Sequence, residues 1–286
     1  MDLRPTPQIQ ELIDQAWERK EASEGGGWRH HLGASVIGKE CMREIWFGFR
    51  WATRAVFKGR MLRLFNRGHM EEPRIVRDLR MIGVTVHEVD PETGEQFRII
   101  DVDGHFGGSL DTIAYKVPGV ELFGLTADDP VYVEYKTHNQ KSFDNLVRSG
   151  LKKAKPEHIA QMQTYMLKRG IKLGLYIAVC KNTDDYETVF VTLDPSIGHE
   201  MLGKAREIIT SPTPPPRISS NPGWFKCRFC DHRGVCHLGH PIERHCRSCK
   251  FAAPVADGKW HCSNWNTEIP KEAQPLGCEK WVQVDL

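Results

Sequence analysis

Hydrophobic positions recur along this 286-residue chain with two periods, and the changes of period mark its elements. Ile9, Leu12, Ile13 and Trp17 recur at helical spacing and predict an amphipathic helix over 8–22, closed by the break Gly25-Gly26-Gly27. Ser35 is the candidate N-cap for a helical segment carrying Cys41, Ile45, Trp46 and Phe49. A longer helical pattern covers 68–81, and strand-like runs follow at 85–89, 97–102, 108–115 and 131–136. The spacing then predicts a helix over 156–169 with Pro156 in its first turn, strands at 173–180 and 187–193, and a helix over 196–209. Such a mixture predicts an α/β fold with a central mixed sheet flanked by helices. Segment 117–130 reads as a loop between two core strands. The run Ser211-Pro212-Thr213-Pro214-Pro215-Pro216 reads as a stiff linker, beyond which periodicity fades and Cys, Trp and His accumulate.

Within 131–137 the chain reads Val-Tyr-Val-Glu-Tyr-Lys-Thr. Alternation sends Val131, Val133 and Tyr135 to one face and Glu134 and Lys136 to the other. A carboxylate and an ammonium on a buried strand are costly without partners. Asp111, in the run 108–115, offers a second acid. On the helix 68–81, Glu72 shares a face with Ile75, Val76 and Leu79, whereas Glu71 lines up with Arg74 and Asp78 on a polar face. Glu72, Asp111 and Glu134 are therefore expected to converge beside Lys136 as a Mg²⁺ site. Taken alone, Glu-x-Lys is a loose pattern, equally compatible with an ion pair on an exposed sheet face and Asp111 in a turn. Gln161 and Tyr165 share a helix face with His158 and Met162, which suits packing as well as contact with a ligand.

The order of helix glutamate, Asp, Glu-x-Lys and a Gln-x-x-x-Tyr helix resembles the PD-(D/E)XK nuclease superfamily, and more closely its RecB-like and phage-type exonuclease branch. Arg67-Gly68-His69-Met70-Glu71-Glu72-Pro73 is similar to the first motif, with Glu where many RecB-like members have His. Gly108-Ser109-Leu110-Asp111 is similar to the second, Glu134-Tyr135-Lys136 to the third, and Gln161-Met162-Gln163-Thr164-Tyr165 to the helix motif. The resemblance spans about 33–236 and implies a restriction-endonuclease-like core. It also implies that Glu72, Asp111, Glu134 and the carbonyl of Tyr135 hold one or two Mg²⁺ or Mn²⁺ ions, with Lys136 orienting a water. Gln161 and Tyr165 would contact substrate phosphates or brace the site. Lys141, Arg148, Lys152, Lys153 and Lys155, interleaved with Phe143 and Leu146, follow the third motif directly. Such a run is a solvated face or a track for DNA phosphates.

The net charge of +2 leaves nucleic-acid contact to local basic patches. No run approaches the roughly 18 apolar residues of a membrane span, and the opening Met1-Asp2-Leu3-Arg4-Pro5 has no apolar stretch. A cytoplasmic protein is expected (in the host cytoplasm if phage-encoded). Seven of the nine cysteines crowd into 227–278, and clustered thiols in a reducing compartment more often bind metal than pair. Cys227, Cys230 and Cys236 are three ligands, and Cys41 could supply the fourth. That one-plus-three arrangement resembles the iron–sulfur RecB-like nucleases, of AddB type and CRISPR-associated, and implies a 4Fe–4S cluster. A zinc site completed by Cys41, His232 or His237 is the alternative. Cys246, Cys249, Cys262 and Cys278 form a second four-thiol set with zinc-ribbon spacing. Around it, His245 and His261 read as surface residues, and Trp260, Trp265 and Trp281 as a small core. Cys180 reads as a buried core residue.

The expected organisation is a nuclease core with an N-terminal helical region over 1–210, a linker at 211–223, a cluster segment at 224–240 closing onto Cys41, and a zinc-ribbon-like module at 241–286. That module would bind DNA or a recombination or replication protein. Together these features predict a Mg²⁺/Mn²⁺-dependent exonuclease acting on single-stranded or end-containing DNA in recombination, repair or phage DNA processing. A structure-specific or restriction-like endonuclease of the same fold, or a non-catalytic nucleic-acid-binding scaffold, are the competing readings.

Overall fold

The computed structural model describes residues 7–23 and 28–286, so the glycine break at 25–27 lies outside the described residues. In chain order the helices are α1 (Pro7–Ser23), α2 (Met42–Phe49), α3 (Gly59–Met81), α4 (Gln140–Ser149), α5 (Leu151–Ala154), α6 (Pro156–Arg169), α7 (Pro195–Thr210), α8 (Phe225–Arg228) and α9 (Arg233–His237). The strands are β1 (Leu32–Gly33), β2 (Thr85–His87), β3 (Arg98–Asp101), β4 (Phe106–Ser109), β5 (Thr112–Tyr115), β6 (Val131–His138), β7 (Leu173–Cys180), β8 (Tyr186–Thr192), β9 (Ala252–Pro254), β10 (Trp260–Cys262) and β11 (Thr267–Ile269).

The fold is mixed α/β. A five-stranded sheet runs β2-β5-β6-β7-β8, and two three-stranded sheets run β1-β4-β3 and β11-β10-β9. In the large sheet β6 and β7 are parallel, from Val131 opposite Leu173 to His138 opposite Cys180, and the other pairs are antiparallel. A parallel pair needs cover on both faces, and all eight residues of β7 are buried. On one face α3 sets Ile75, Val76 and Leu79 against Val131, Val133, Tyr135, Leu175 and Ile177. On the other, Tyr132, Tyr176 and Ala178 join the core that holds Met162, Tyr165 and Met166 of α6. Cys180 is buried there as expected.

Several elements depart from the sequence expectation. The single strand expected at 108–115 is two strands in two different sheets, β4 and β5, and the chain crosses between them at Leu110-Asp111. Ser35 does not cap α2: it lies in a 3₁₀ turn, Ala34–Val36, and Cys41 is the N-cap residue. Ile9, Leu12 and Ile13 of α1 are exposed instead of docked. Polar contacts orient α1, with Arg63 paired to Asp14 and the Gly59 N–H donating to Glu18 Oε1 at 3.0 Å. A side chain at Gly59 would put its Cβ 2.3 Å from the Asp14 carbonyl oxygen, so glycine sets how closely the two helices approach. The basic run after β6 is helical: Asn139 caps α4 by accepting from Ser142 N at 2.9 Å, and Phe143 and Leu146 are buried beneath it.

The proline-rich segment is pinned to α2, because Arg43 donates to the Pro215 carbonyl at 2.9 Å and the Trp46 indole to the Ser211 carbonyl at 3.0 Å. Beyond it, residues 241–286 extend the N-terminal core. Trp260 is fully buried against Phe49, and the Arg247 guanidinium sits 4.0 Å from the centre of the Trp51 ring and 4.7 Å from that of Trp260. His245 is buried rather than a surface residue, hydrogen-bonded to the Trp51 carbonyl at 2.7 Å. Trp265 is exposed instead of packed. Among the described residues no helix is long and apolar enough to cross a membrane.

Candidate active site

Glu134 sits at the centre of the large sheet on β6, completely buried. Its carboxylate accepts four contacts from three side-chain donors. Lys136 Nζ and the Tyr132 hydroxyl donate to it, and the Gln161 amide reaches both oxygens, at 3.1 and 3.2 Å. β6 supplies Tyr132, Glu134 and Lys136 from one face because residues two apart share a side of a strand. α6 supplies Gln161. Asp111, at the crossing between the two sheets, accepts from the Tyr135 N–H at 3.3 Å. Glu72 comes from the middle of α3, 3.7 Å from the His69 ring nitrogen. Glu71 instead pairs with Arg74 at 2.7 Å. The expected inward–outward split of the two glutamates is not reproduced: the Glu71 side chain is the more covered, at 15% exposed against 43% for Glu72, and both line the same cleft.

The electrostatics tie these groups into one site. Burial raises the Glu134 carboxyl to about 7, Lys136 opposes that shift, and Asp111 and Glu72 add to it. Burial also raises Asp111, against the pull of Lys136 and the Tyr135 N–H. Glu72 is raised by burial and then by Asp111. For Lys136, burial works against the charge, but Glu134, Asp111 and Glu72 outweigh it and hold the ammonium protonated. Three carboxylates facing one lysine are short of positive charge. Hard oxygen donors of this kind suit Mg²⁺ or Mn²⁺. Among the described residues, no three His, Cys, Asp or Glu side chains close to the spacing of a single bound ion, and Glu134 is engaged with Lys136, Tyr132 and Gln161. A cleft of about 540 Å³ opens onto this cluster, lined by Phe65, His69, Glu72, Tyr135, Lys136 and Lys181 among others.

Tyr165 packs edge-on against Tyr132, ring centres 5.6 Å apart. A Cβ at position 108 would lie 2.3 Å from the Tyr165 hydroxyl, so the glycine of Gly108-Ser109-Leu110-Asp111 leaves room for that ring. Of the basic run, Lys152 and Lys153 line a separate cavity with Gln163 and Thr192, and Lys155 donates to Ser142 Oγ at 2.7 Å. Lys141 and Arg148 are exposed on α4. None of the five lines the acidic cleft.

The sequence reading did not use Tyr132 or His138, yet both continue the alternating stripe of Glu134 and Lys136, which is signal enough to find them. His138 Nε2 and His158 Nδ1 both contact the Tyr176 hydroxyl, at 2.9 and 2.8 Å, and His138 Nδ1 contacts Ser142 Oγ at 3.0 Å. Burial, then nearby lysines, pushes His138 down to about 4 and His158 to about 3, so both rings are neutral.

The structure brings each cysteine set to its own cavity. Cys41, Cys227, Cys230 and Cys236 line one of about 340 Å³ with His232, His237, Lys39, Arg43, Arg217 and Lys226. Cys246, Cys249, Cys262 and Cys278 line another of about 170 Å³ with Trp265 and Trp281. The described residues include all nine cysteines, and none is paired. Each cavity thus gathers the four thiols of one set, although among the described residues they do not close to the spacing of a single bound ion. His232 is spoken for by Thr53 Oγ1 at 2.6 Å.

No family model matches the sequence, and no curated protein matches it. Among solved structures it matches an alkaline exonuclease, LHK-Exo, from Laribacter hongkongensis, at 20% identity over 68% of this chain and 90% of that one, with a TM-score of 0.45. It matches SSO0001 at 13% identity over 80% of this chain and 96% of that one, TM-score 0.45. It also matches a phage-related exonuclease from Haemophilus somnus 129PT at 14% identity over 58% of this chain and 78% of that one, TM-score 0.38.

Proposed function

We propose that this chain is a metal-dependent nuclease that hydrolyses phosphodiester bonds of DNA, working from strand ends. One observation carries the reading: a completely buried Glu134 tied to a protonated Lys136 and to Gln161, beside Asp111 and Glu72, at the edge of an open cleft. The carboxylates of Glu72, Asp111 and Glu134 and the carbonyl of Tyr135 would hold Mg²⁺ or Mn²⁺. Bound there, the ion supplies a water of lowered pKa and offsets phosphate charge. Lys136 holds the attacking water and faces the negative charge that grows on the phosphate oxygens. Gln161 and Tyr132 fix the Glu134 carboxylate, and Tyr165 braces Tyr132. A site preset in this way needs little reorganisation during reaction.

The Cys41 pocket takes a 4Fe–4S cluster in this reading, joining 224–240 to the start of α2, and the Cys246 pocket takes zinc. Residues 241–286 then engage DNA or a recombination or replication protein, in the cytoplasm. The test is digestion of end-labelled linear DNA and of closed single-stranded circles, with Mg²⁺ or Mn²⁺ and with chelator. Metal-dependent loss of linear DNA alone is the expected result. Cut circles would make it an endonuclease, and two intact substrates would overturn the enzyme reading.

A further inference from the structure

We infer that a groove between α1 and α3 takes an unpaired nucleobase of the substrate strand, stacked on Phe65. This rests on the nuclease reading and adds where the strand runs. A cavity of about 290 Å³ lies between the two helices, lined by Trp17, Lys20 and Glu21 of α1 and by Phe57, Leu62, Phe65, Asn66 and His69. Phe65 and His69 line the acidic cleft as well, so the two spaces meet at those residues.

Phe65, His69 and Glu72 follow one another at spacings of four and three on α3 and therefore share one face of the helix. The run from Phe65 to Glu72 covers about 10 Å of helix axis, a length that one or two nucleotides bridge. Phe65 is 44% exposed, and its ring stands nearly perpendicular to that of Phe57 with centroids 5.0 Å apart. Other contacts hold the two helices together. Arg63 pairs with Asp14, Glu18 accepts from the Gly59 N–H, and the close approach at Gly59 fixes α1 against α3.

Aromatic faces open to solvent and continuous with a phosphate-processing cleft are what sequence-tolerant single-strand binding requires. Positive charge in the two spaces is confined to Lys20, Lys136 and Lys181, because Lys141, Arg148, Lys152, Lys153 and Lys155 all lie off the cleft, and Glu21 lines the groove beside Lys20. The occupant the groove fits is therefore a base of a single strand, with its phosphate directed toward Lys136.

The full chain, carrying its own metals and with Ca²⁺ replacing Mg²⁺, is titrated with a labelled short oligothymidylate and with an abasic oligomer of equal length. The wild type is expected to prefer the thymidylate. Phe65→Ala should weaken thymidylate binding by about tenfold or more while leaving the abasic affinity unchanged. Phe65→Trp should keep the preference, which separates stacking from a folding defect. Equal affinity of the wild type for both oligomers, no binding of either, or equal weakening of both by Phe65→Ala would overturn the groove. Mg²⁺-dependent digestion of linear DNA is scored separately. Digestion with no base preference removes the groove and leaves the nuclease, whereas base preference without digestion does the reverse.

Discussion

The acidic cleft and the two thiol pockets are built from different kinds of chain. Glu72, Glu134, Lys136 and Gln161 stand inside α3, β6 and α6, elements of 23, 8 and 14 residues. Cys227, Cys236 and Cys262 stand on elements of four, five and three residues, and Cys230 and Cys278 on none. Long elements with a buried stripe hold a side chain's position through backbone ladders and packing. A helix of four or five residues does not form on its own, because nucleation costs more than so few bonds return. The pockets therefore depend on tertiary contacts and on whatever joins their thiols. In the first pocket, burial and then Glu44 and Cys41 push the Cys230 thiol up to about 12, so a bare thiolate there is disfavoured.

The largest expected effect separates chemistry from fold. Asp111→Asn should lower DNA hydrolysis by at least about a thousandfold, roughly 4 kcal/mol of barrier. Its melting temperature should hold or rise, since one of three mutually repelling carboxylates is gone. Retained activity would refute the site, and a large fall in melting temperature would make Asp111 a structural residue.

The thiol pockets should behave the other way, and differently from each other. Protein prepared without oxygen should absorb near about 400 nm. Cys227→Ser should remove that band along with several degrees of melting temperature, while Cys249→Ser should lose zinc and keep the band. A colourless protein with zinc in both pockets would make them chemically alike.

The smallest effect concerns the polar network at the end of β6. An unfolded histidine takes a proton near 6.5, whereas folded His138 refuses one until about 4. The unfolded chain thus binds more protons across that window, so stability is flat above it and falls as pH drops from 6.5 toward 4. His138→Gln should flatten that slope by about 2 kcal/mol, read from urea unfolding across the window. An unchanged slope would exclude His138 as its source.

The same contrast governs what the sequence disclosed. Glu72, Glu134 and Lys136 were legible because each sits in a periodic pattern that its neighbours complete. The break at Leu110-Asp111 was not, because Leu110 is buried in one core and Thr112 begins a strand of another sheet, so the apolar rhythm runs through uninterrupted. In α4 the charges of Lys141 and Arg148 hid the Phe143 and Leu146 pair at helical spacing. β9, β10 and β11 have three residues each, too few to show a period, although each pairs with its neighbour in sequence. His245 looked like a surface residue because nothing local says that Trp51 will pack against it. The grouping of cysteines was visible by count and spacing, whereas the walls of their pockets were not.

The turn between β3 and β4 joins the C-terminal region to the strand that leads to the cleft. His105 Nε2 meets the Val255 carbonyl at 2.7 Å, and the Gly258 N–H donates to the Asp103 carbonyl at 2.7 Å. β4 leaves that turn and leads directly to Asp111. Residues 255–258 are thus one short strand away from a carboxylate of the site. A substitution that breaks either contact tests whether the position of Asp111 depends on the last part of the chain.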